Sequence, residues 1–131
     1  MVHWHQSYQY GKAKEVEILP TIKAFFKRDI QQYSKQYDDF DFYDEECEYE
    51  LKSRTNNYSK YPTTMITLNK VTKTTNKKII LLFNFTDGLY YIEYSPEQFS
   101  KYEVKKFSRA MKSWDEKEHV YIDIRDLKKV E

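Results

Sequence analysis

The sequence predicts an α/β domain in which a central mixed β-sheet is flanked by helices. Three observations carry that expectation: an amphipathic helical pattern over 14–33, two-residue alternation across 40–52, and a nearly continuous apolar run from Lys78 to Phe85. At 131 residues, the span 1–131 is most simply one domain, large enough to bury a core but with little room for a second.

Taken in order, the 14–33 segment places Ile18, Leu19, Ile22, Phe25, Phe26, Ile30 and Tyr33 on one helical side. Pro20 interrupts it, because proline removes an interior hydrogen bond; the helix is therefore kinked at Pro20 or begins there. If it begins there, Glu15 lies on the lead-in rather than on a helix. Next, Phe40 and Phe42 alternate with Asp41 and Tyr43, and Cys47, Tyr49 and Leu51 alternate with Glu48, Glu50 and Lys52. A reversal around 44–46 makes these two strands a hairpin, with Phe42 facing Tyr49, Phe40 facing Leu51 and Asp41 facing Glu50. All the apolar residues then share one face, and Asp41, Glu50 and Lys52 share the other. Glu45-Glu46 is poor chemistry for a two-residue primed turn, so a loop of about four residues is expected.

Residues 53–62 read as a loop, and 63–73 is ambiguous between strand and helix. Lys78–Phe85 reads as a central strand, and Thr86-Asp87-Gly88 turns it into a second hairpin strand over Leu89–Tyr94. Ser95 and Pro96 have the chemistry of a helix cap and first helical position, which predicts a helix to about Met111. Val120–Ile124 is expected as the last strand.

Composition removes several function classes. One cysteine, Cys47, excludes an internal disulfide framework, fits a reducing compartment and reads as core. No apolar run approaches the roughly 20 residues of a membrane span, and the N-terminus lacks the regions of a signal peptide, so an intracellular protein is expected. Two isolated glycines cannot form a phosphate-cradling glycine loop. His3 and His5 flank Trp4 but lie at the terminus. Asp39, Asp41 and Asp44 lack the glycine and distal glutamate of a calcium loop.

Net charge is only +1, yet its distribution is uneven. Eight acidic residues and no basic one fall between Asp38 and Glu50, whereas Leu51 to Thr86 holds seven basic residues and no acidic one. A metal-dependent phosphodiesterase needs such a neighbouring pair of patches; two separately solvated faces are the plainer alternative. In the expected register, Asp41 and Glu50 have Cβ atoms about 4.5–5.5 Å apart. Two charges that close repel by roughly 3–4 kcal/mol at an effective dielectric near 20. A hard divalent cation held by carboxylate oxygens reverses that sign, and Mg²⁺ is the usual candidate. Lys52 projects from the same face, placed to orient a water attacking phosphorus or to hold the phosphate.

Phe40-Asp41 followed by Glu50-Leu51-Lys52, preceded by Gly11-Lys12-Ala13-Lys14-Glu15, resembles the PD-(D/E)XK nuclease superfamily. The longer string from Tyr49 to Thr64 is similar to small nucleases of large DNA viruses and phages. The likeness covers roughly residues 10–95 and is most specific over 49–64. It implies a restriction-endonuclease-like core, with Asp41 and Glu50 as metal ligands and Lys52 as the catalytic lysine. Glu15 matches the first-helix glutamate that completes or adjusts the metal site, with Glu17 as the fallback. Phe40 stands where the family name has proline, which raises Asp44 as an alternative ligand, although Asp44 falls in the turn. The resemblance also implies Mg²⁺, with Mn²⁺ substituting, and DNA as partner. Arg54, Lys60 and Lys70 are then candidates for backbone contacts, and Tyr58 and Tyr61 for stacking on exposed bases.

The function expected is metal-dependent hydrolysis of DNA phosphodiesters, in the manner of a structure-selective or repair and recombination endonuclease. A catalytically silent nucleic-acid-binding module on the same fold is the alternative, distinguished by binding that persists in chelator without cleavage. A domain this small is expected to grip DNA as a homodimer or with a partner, and the aromatic hairpin 79–94 is the expected dimer surface.

Overall fold

The computed structural model describes residues 2–34, 39–73, 75–107 and 117–131. Among the described residues, three layers stack around two buried clusters. The first layer is helix α1 (Val2–Phe26). The second is a six-stranded sheet ordered β1 (Gln31–Gln32), β2 (Phe42–Tyr43), β3 (Cys47–Ser53), β5 (Lys78–Phe85), β6 (Gly88–Glu93) and β9 (Lys128–Lys129). Only β3 and β5 pair in parallel, so the sheet is mixed. The third layer is an antiparallel sheet ordered β4 (Thr63–Thr67), β8 (Lys117–Asp123) and β7 (Glu103–Phe107), with the one-turn helices α2 (Leu68–Val71) and α3 (Pro96–Phe99).

The apolar run of β5 follows from burial on both faces. Ile79, Leu81, Phe83 and Phe85 pack toward the small sheet with Ile66, Val120 and Ile122, while Ile80 and Leu82 pack toward α1 with Ile18, Ile22, Tyr49 and Leu51. β3 joins the α1 cluster through Cys47, Tyr49 and Leu51, leaving Glu48, Glu50 and Lys52 on the face covered by the small sheet. That face is not solvent, since Glu48 and Glu50 are both buried.

Several sequence expectations change. Pro20 lies inside α1, so the helix neither begins there nor leaves Glu15 off it. The helix starts earlier than residue 14 and ends at Phe26, short of Tyr33. Lys27 takes a left-handed conformation (φ 56°) and donates its N–H to Lys23 O at 3.0 Å, closing the helix where glycine is the usual residue. Ile30 is therefore a core residue beyond the helix, and Gln31–Gln32 pairs with β2.

The first hairpin keeps Phe42 opposite Tyr49, and its last pair, Tyr43 with Glu48, leaves the expected four-residue loop. Regular pairing ends at Phe42. Asp41 donates its N–H to Tyr49 O at 2.9 Å, one residue away from the Glu50 partner that register would give it, so the chain bulges. The extra residue changes the facing: Phe40 joins the small-sheet cluster and Phe42 the α1 cluster, not one shared face.

The segment 63–73 resolves into β4 followed by α2. Ser95 caps α3, accepting from Gln98 N at 3.4 Å, and Pro96 sits in its first turn. The helix expected to reach Met111 stops at Phe99 because β7 finds backbone partners along β8; Met111 lies outside the described residues. The strand expected at Val120–Ile124 is β8, and a 3-10 turn (Ile124–Asp126) and β9 follow it. Hairpin 79–94 lies within the large sheet, with Leu81, Leu82 and Phe83 fully buried and β9 pairing with β6 at Tyr90 and Tyr91. No described helix is long and apolar enough to cross a membrane. The side chains of His3 and His5 lie outside the described ones.

Candidate active site

Alternation along β3 sets Glu48, Glu50 and Lys52 in one row, and Arg54 extends it by donating its N–H to Asn84 O at 2.8 Å. Glu48 and Glu50 are buried beside Ile79, Leu81 and Phe83, whereas Lys52 and Arg54 are half-buried. Buried carboxylates demand partners. Glu48 has them: the Tyr33 hydroxyl donates to its Oε1 at 2.7 Å, and Lys77 Nζ lies 3.5 Å away.

Glu50 is only 4% exposed and less completely served. Lys52 Nζ stands 3.5 Å from Oε2, and Lys70 Nζ 3.4 Å from Oε1. The Lys70 approach is within ion-pair reach but outside hydrogen-bond geometry, so buried Oε1 has no hydrogen-bond donor. Burial, followed by the charge of Asp41, pushes the Glu50 carboxyl up to about 7 against the pull of both lysines.

Asp41 and Glu15 share this neighbourhood. The bulge turns the Asp41 carboxylate back onto β3, where Oδ2 accepts the Leu51 N–H at 2.8 Å. Glu15, on α1, is buried and accepts from Gln32 Nε2 at 3.1 Å and from Lys12 Nζ at 3.3 Å. Burial, then the Asp41 charge, raises its pKa as well. Asp41 is thus felt by both glutamates. Among the described residues, no three His, Cys, Asp or Glu side chains already converge closely enough to cage an ion. Lysines stand around Glu50 instead, as expected where nothing else compensates its charge.

The sequence model of the family described as "Phage putative PDDEXK endonuclease" matches residues 5–130. The chain belongs to this phage PDDEXK endonuclease family. Comparison with curated proteins and with solved structures gives no match. The mixed sheet and helices agree with the restriction-endonuclease-like fold that membership of the PDDEXK endonucleases implies.

Within this member of the PDDEXK endonuclease family, the remaining candidates separate. Asp44 sits in the first hairpin's turn, held by Arg28 and by Tyr49 of the α1-facing cluster, not in the row of Glu50. Lys70, expected as a backbone contact, is engaged within the protein: besides approaching Glu50, it donates to Asp39 O at 2.6 Å. Tyr58 stacks on Tyr90 (4.2 Å, 11°) and donates to Ile124 O at 2.9 Å, which makes it a packed wall rather than a free ring. Arg54 donates to Met65 O and lies over the Phe83 ring. Tyr61 is exposed, with Lys60 Nζ 5.5 Å from its ring centre. Sequence reasoning missed Gln32 as the donor to Glu15 and the approach of Lys70 to Glu50. Nothing in local spacing marks Gln32, which is 17 residues from Glu15.

Proposed function

We propose that the protein is a divalent-metal-dependent DNA endonuclease whose centre is Glu50, Asp41 and Lys52, assisted by Glu15. The observation that carries this is the buried Glu50 carboxylate, with one oxygen lacking a hydrogen-bond donor, beside a second carboxylate and between two lysines. The donor chemistry fits Mg²⁺ or Mn²⁺, which need only one or two protein carboxylates and complete their shells with water and substrate oxygens.

Asp41 and Glu50 would hold the ion, with Glu15 adjusting the site from α1. The ion supplies Lewis-acid activation of phosphate and water. Lys52, reaching past Glu50 Oε2, orients the attacking water or donates to a phosphate oxygen as charge builds there. Lys70 balances Glu50 in the metal-free protein. The surrounding Lys60 and Arg54 favour a polyanionic strand.

The test is cleavage of linear, single-stranded and branched DNA with Mg²⁺ or Mn²⁺, alongside calorimetric titration of Mn²⁺ without DNA. Wild type should cut, and Lys52→Ala should cut about 10²–10⁴-fold more slowly, the usual range for a lost acid-base or positioning group. Glu50→Gln should lose both cleavage and Mn²⁺ heat while remaining folded. Equal cutting by all three proteins would remove these residues from the mechanism. DNA binding in chelator with no cutting on any substrate would favour a silent binding module.

A further inference from the structure

The charged row on β3 does not stop at Lys52. Arg54 follows two residues later on the same face, about 7 Å along at the ordinary strand rise. There a cleft of about 310 Å³ opens between the large sheet and the small one. Arg54, Asn56, Tyr58, Tyr61, Met65 and Tyr121 form much of its wall, and none of its lining residues is acidic.

The lining pairs rings with cations. Lys60, outside the wall, lies over Tyr61 at 5.5 Å from the ring centre, and Lys105, itself paired with Glu103 at 3.1 Å, lies over Tyr121 at 5.1 Å. Tyr58 is fixed by its stack on Tyr90 and its bond to Ile124 O, so it forms a rigid side wall. Tyr61 is 53% exposed at the rim, and although Lys60 lies over one side of its ring, the exposed remainder gives an incoming flat group a surface to stack on. Aromatic platforms flanked by positive charge are how proteins take unstacked bases of a single strand. A base inside an intact duplex is already stacked on both faces and cannot enter a cleft.

We propose that this cleft is a nucleobase subsite, taking one unstacked base of the DNA strand whose phosphate lies at Lys52. The placement of the phosphate rests on the nuclease reading above; the affinity of the cleft for a base does not. The consequence is a substrate class: single strands, frayed ends or branch points rather than uninterrupted duplex.

The test uses EDTA-treated full-length protein, so that no cleavage intervenes, with Met65 carrying a ¹³C-methyl label as a reporter inside the cleft. Oligothymidylate, an all-abasic oligomer of equal charge, a paired duplex and thymidine monophosphate are titrated separately. Oligothymidylate should shift the Met65 resonance and bind more tightly than the abasic oligomer. Tyr61→Ala should weaken that binding about tenfold, the usual loss for one stacked base. Equal affinity for the abasic oligomer, an unmoved Met65, or an unaffected Tyr61→Ala variant would overturn the subsite. Monophosphate binding as tightly as the oligomer would show a free-nucleotide site and overturn the strand assignment. Cutting of DNA in Mg²⁺ with Met65 silent would sink the subsite alone. A Met65 response without cutting of any DNA would sink the nuclease reading and leave the base site standing.

Discussion

Asp44 and Glu50 lie on the same hairpin, are buried to nearly the same degree (5% and 4% exposed), and titrate in opposite directions. Asp44 is enclosed by donors: Arg28 Nε at 2.7 Å, the N–H groups of Glu46 and Cys47 at 2.8 Å, and the Tyr49 hydroxyl. Burial pushes its carboxyl up, but these bonds more than offset that and hold it at about 2. Glu50 has lysines nearby but no donor for Oε1, and it rises to about 7. Desolvating a carboxylate costs several kcal/mol, and good hydrogen bonds recover that cost. The fold satisfies Asp44 by itself and leaves Glu50 short. A structural acid and a candidate metal ligand are therefore told apart by hydrogen-bond completeness, not by burial.

The largest effect that would break this comparison is on stability. Asp44→Ala takes from Arg28 its closest partner, leaving it only Glu46 at 3.1 Å among the ion pairs described, and strands the Tyr49 hydroxyl and two backbone donors. It should cost about 3–5 kcal/mol in urea unfolding, the range for removing one partner of a buried pair. Glu50→Gln, measured at pH 8 without metal, should be neutral or slightly stabilising, because it removes a charge the fold compensates poorly. Equal losses in the two variants would make Glu50 a structural acid like Asp44.

The pH dependence separates them next. For Glu50 the folded value lies above the ordinary 4.5, so the folded state binds more protons between 4.5 and about 7. Its contribution is present below 4.5 and lost as pH rises through about 7, by up to about 3 kcal/mol at roughly 1.4 kcal/mol per unit. Asp44 behaves in reverse: its contribution is present above 3.8 and lost as pH falls through about 2. Urea midpoints of metal-free protein across this range should show both limbs. Glu50→Gln should flatten only the neutral limb, and Asp44→Asn only the acid one.

What the sequence made legible follows the same physical division. Strong local signals survived folding: the apolar run of β5, the turn at Asp87-Gly88, and the Ser95-Pro96 helix start. So did the pairing of Phe42 with Tyr49, because the two-residue period and loop length fix register. Features set by tertiary contacts were not legible. Lys27 ends α1 without a glycine, the bulge at Asp41 carries no sequence mark, and residues 103–107 abandon helix for pairing with β8. The acids and lysine of the candidate site were all visible as residue types. That their face would be roofed by a second sheet, with Lys70 brought to Glu50 from α2, was not, since alternation identifies a polar face but not what covers it.

The smallest predicted effect sharpens the comparison through the lysines instead of the acids. Lys60 stands on the exposed loop over Tyr61, whereas Lys70 is partly buried against Glu50. If Lys60 serves DNA by charge alone, Lys60→Ala should weaken binding only a few-fold, uniformly across sequences. It should also lower the slope of log K against log salt by about 1, as one phosphate contact is lost. Lys70→Met should leave that slope nearly unchanged in chelator, because its charge is engaged internally in the free protein. It should instead tighten Mn²⁺ binding, since Glu50 loses the cation that competes with the metal. Both quantities come from salt-dependent anisotropy and metal calorimetry on the same two variants. A Lys70→Met protein that lost a full unit of salt slope and bound Mn²⁺ no more tightly would return Lys70 to the role of backbone contact. Glu50 would then be left with Lys52 as its counter-charge.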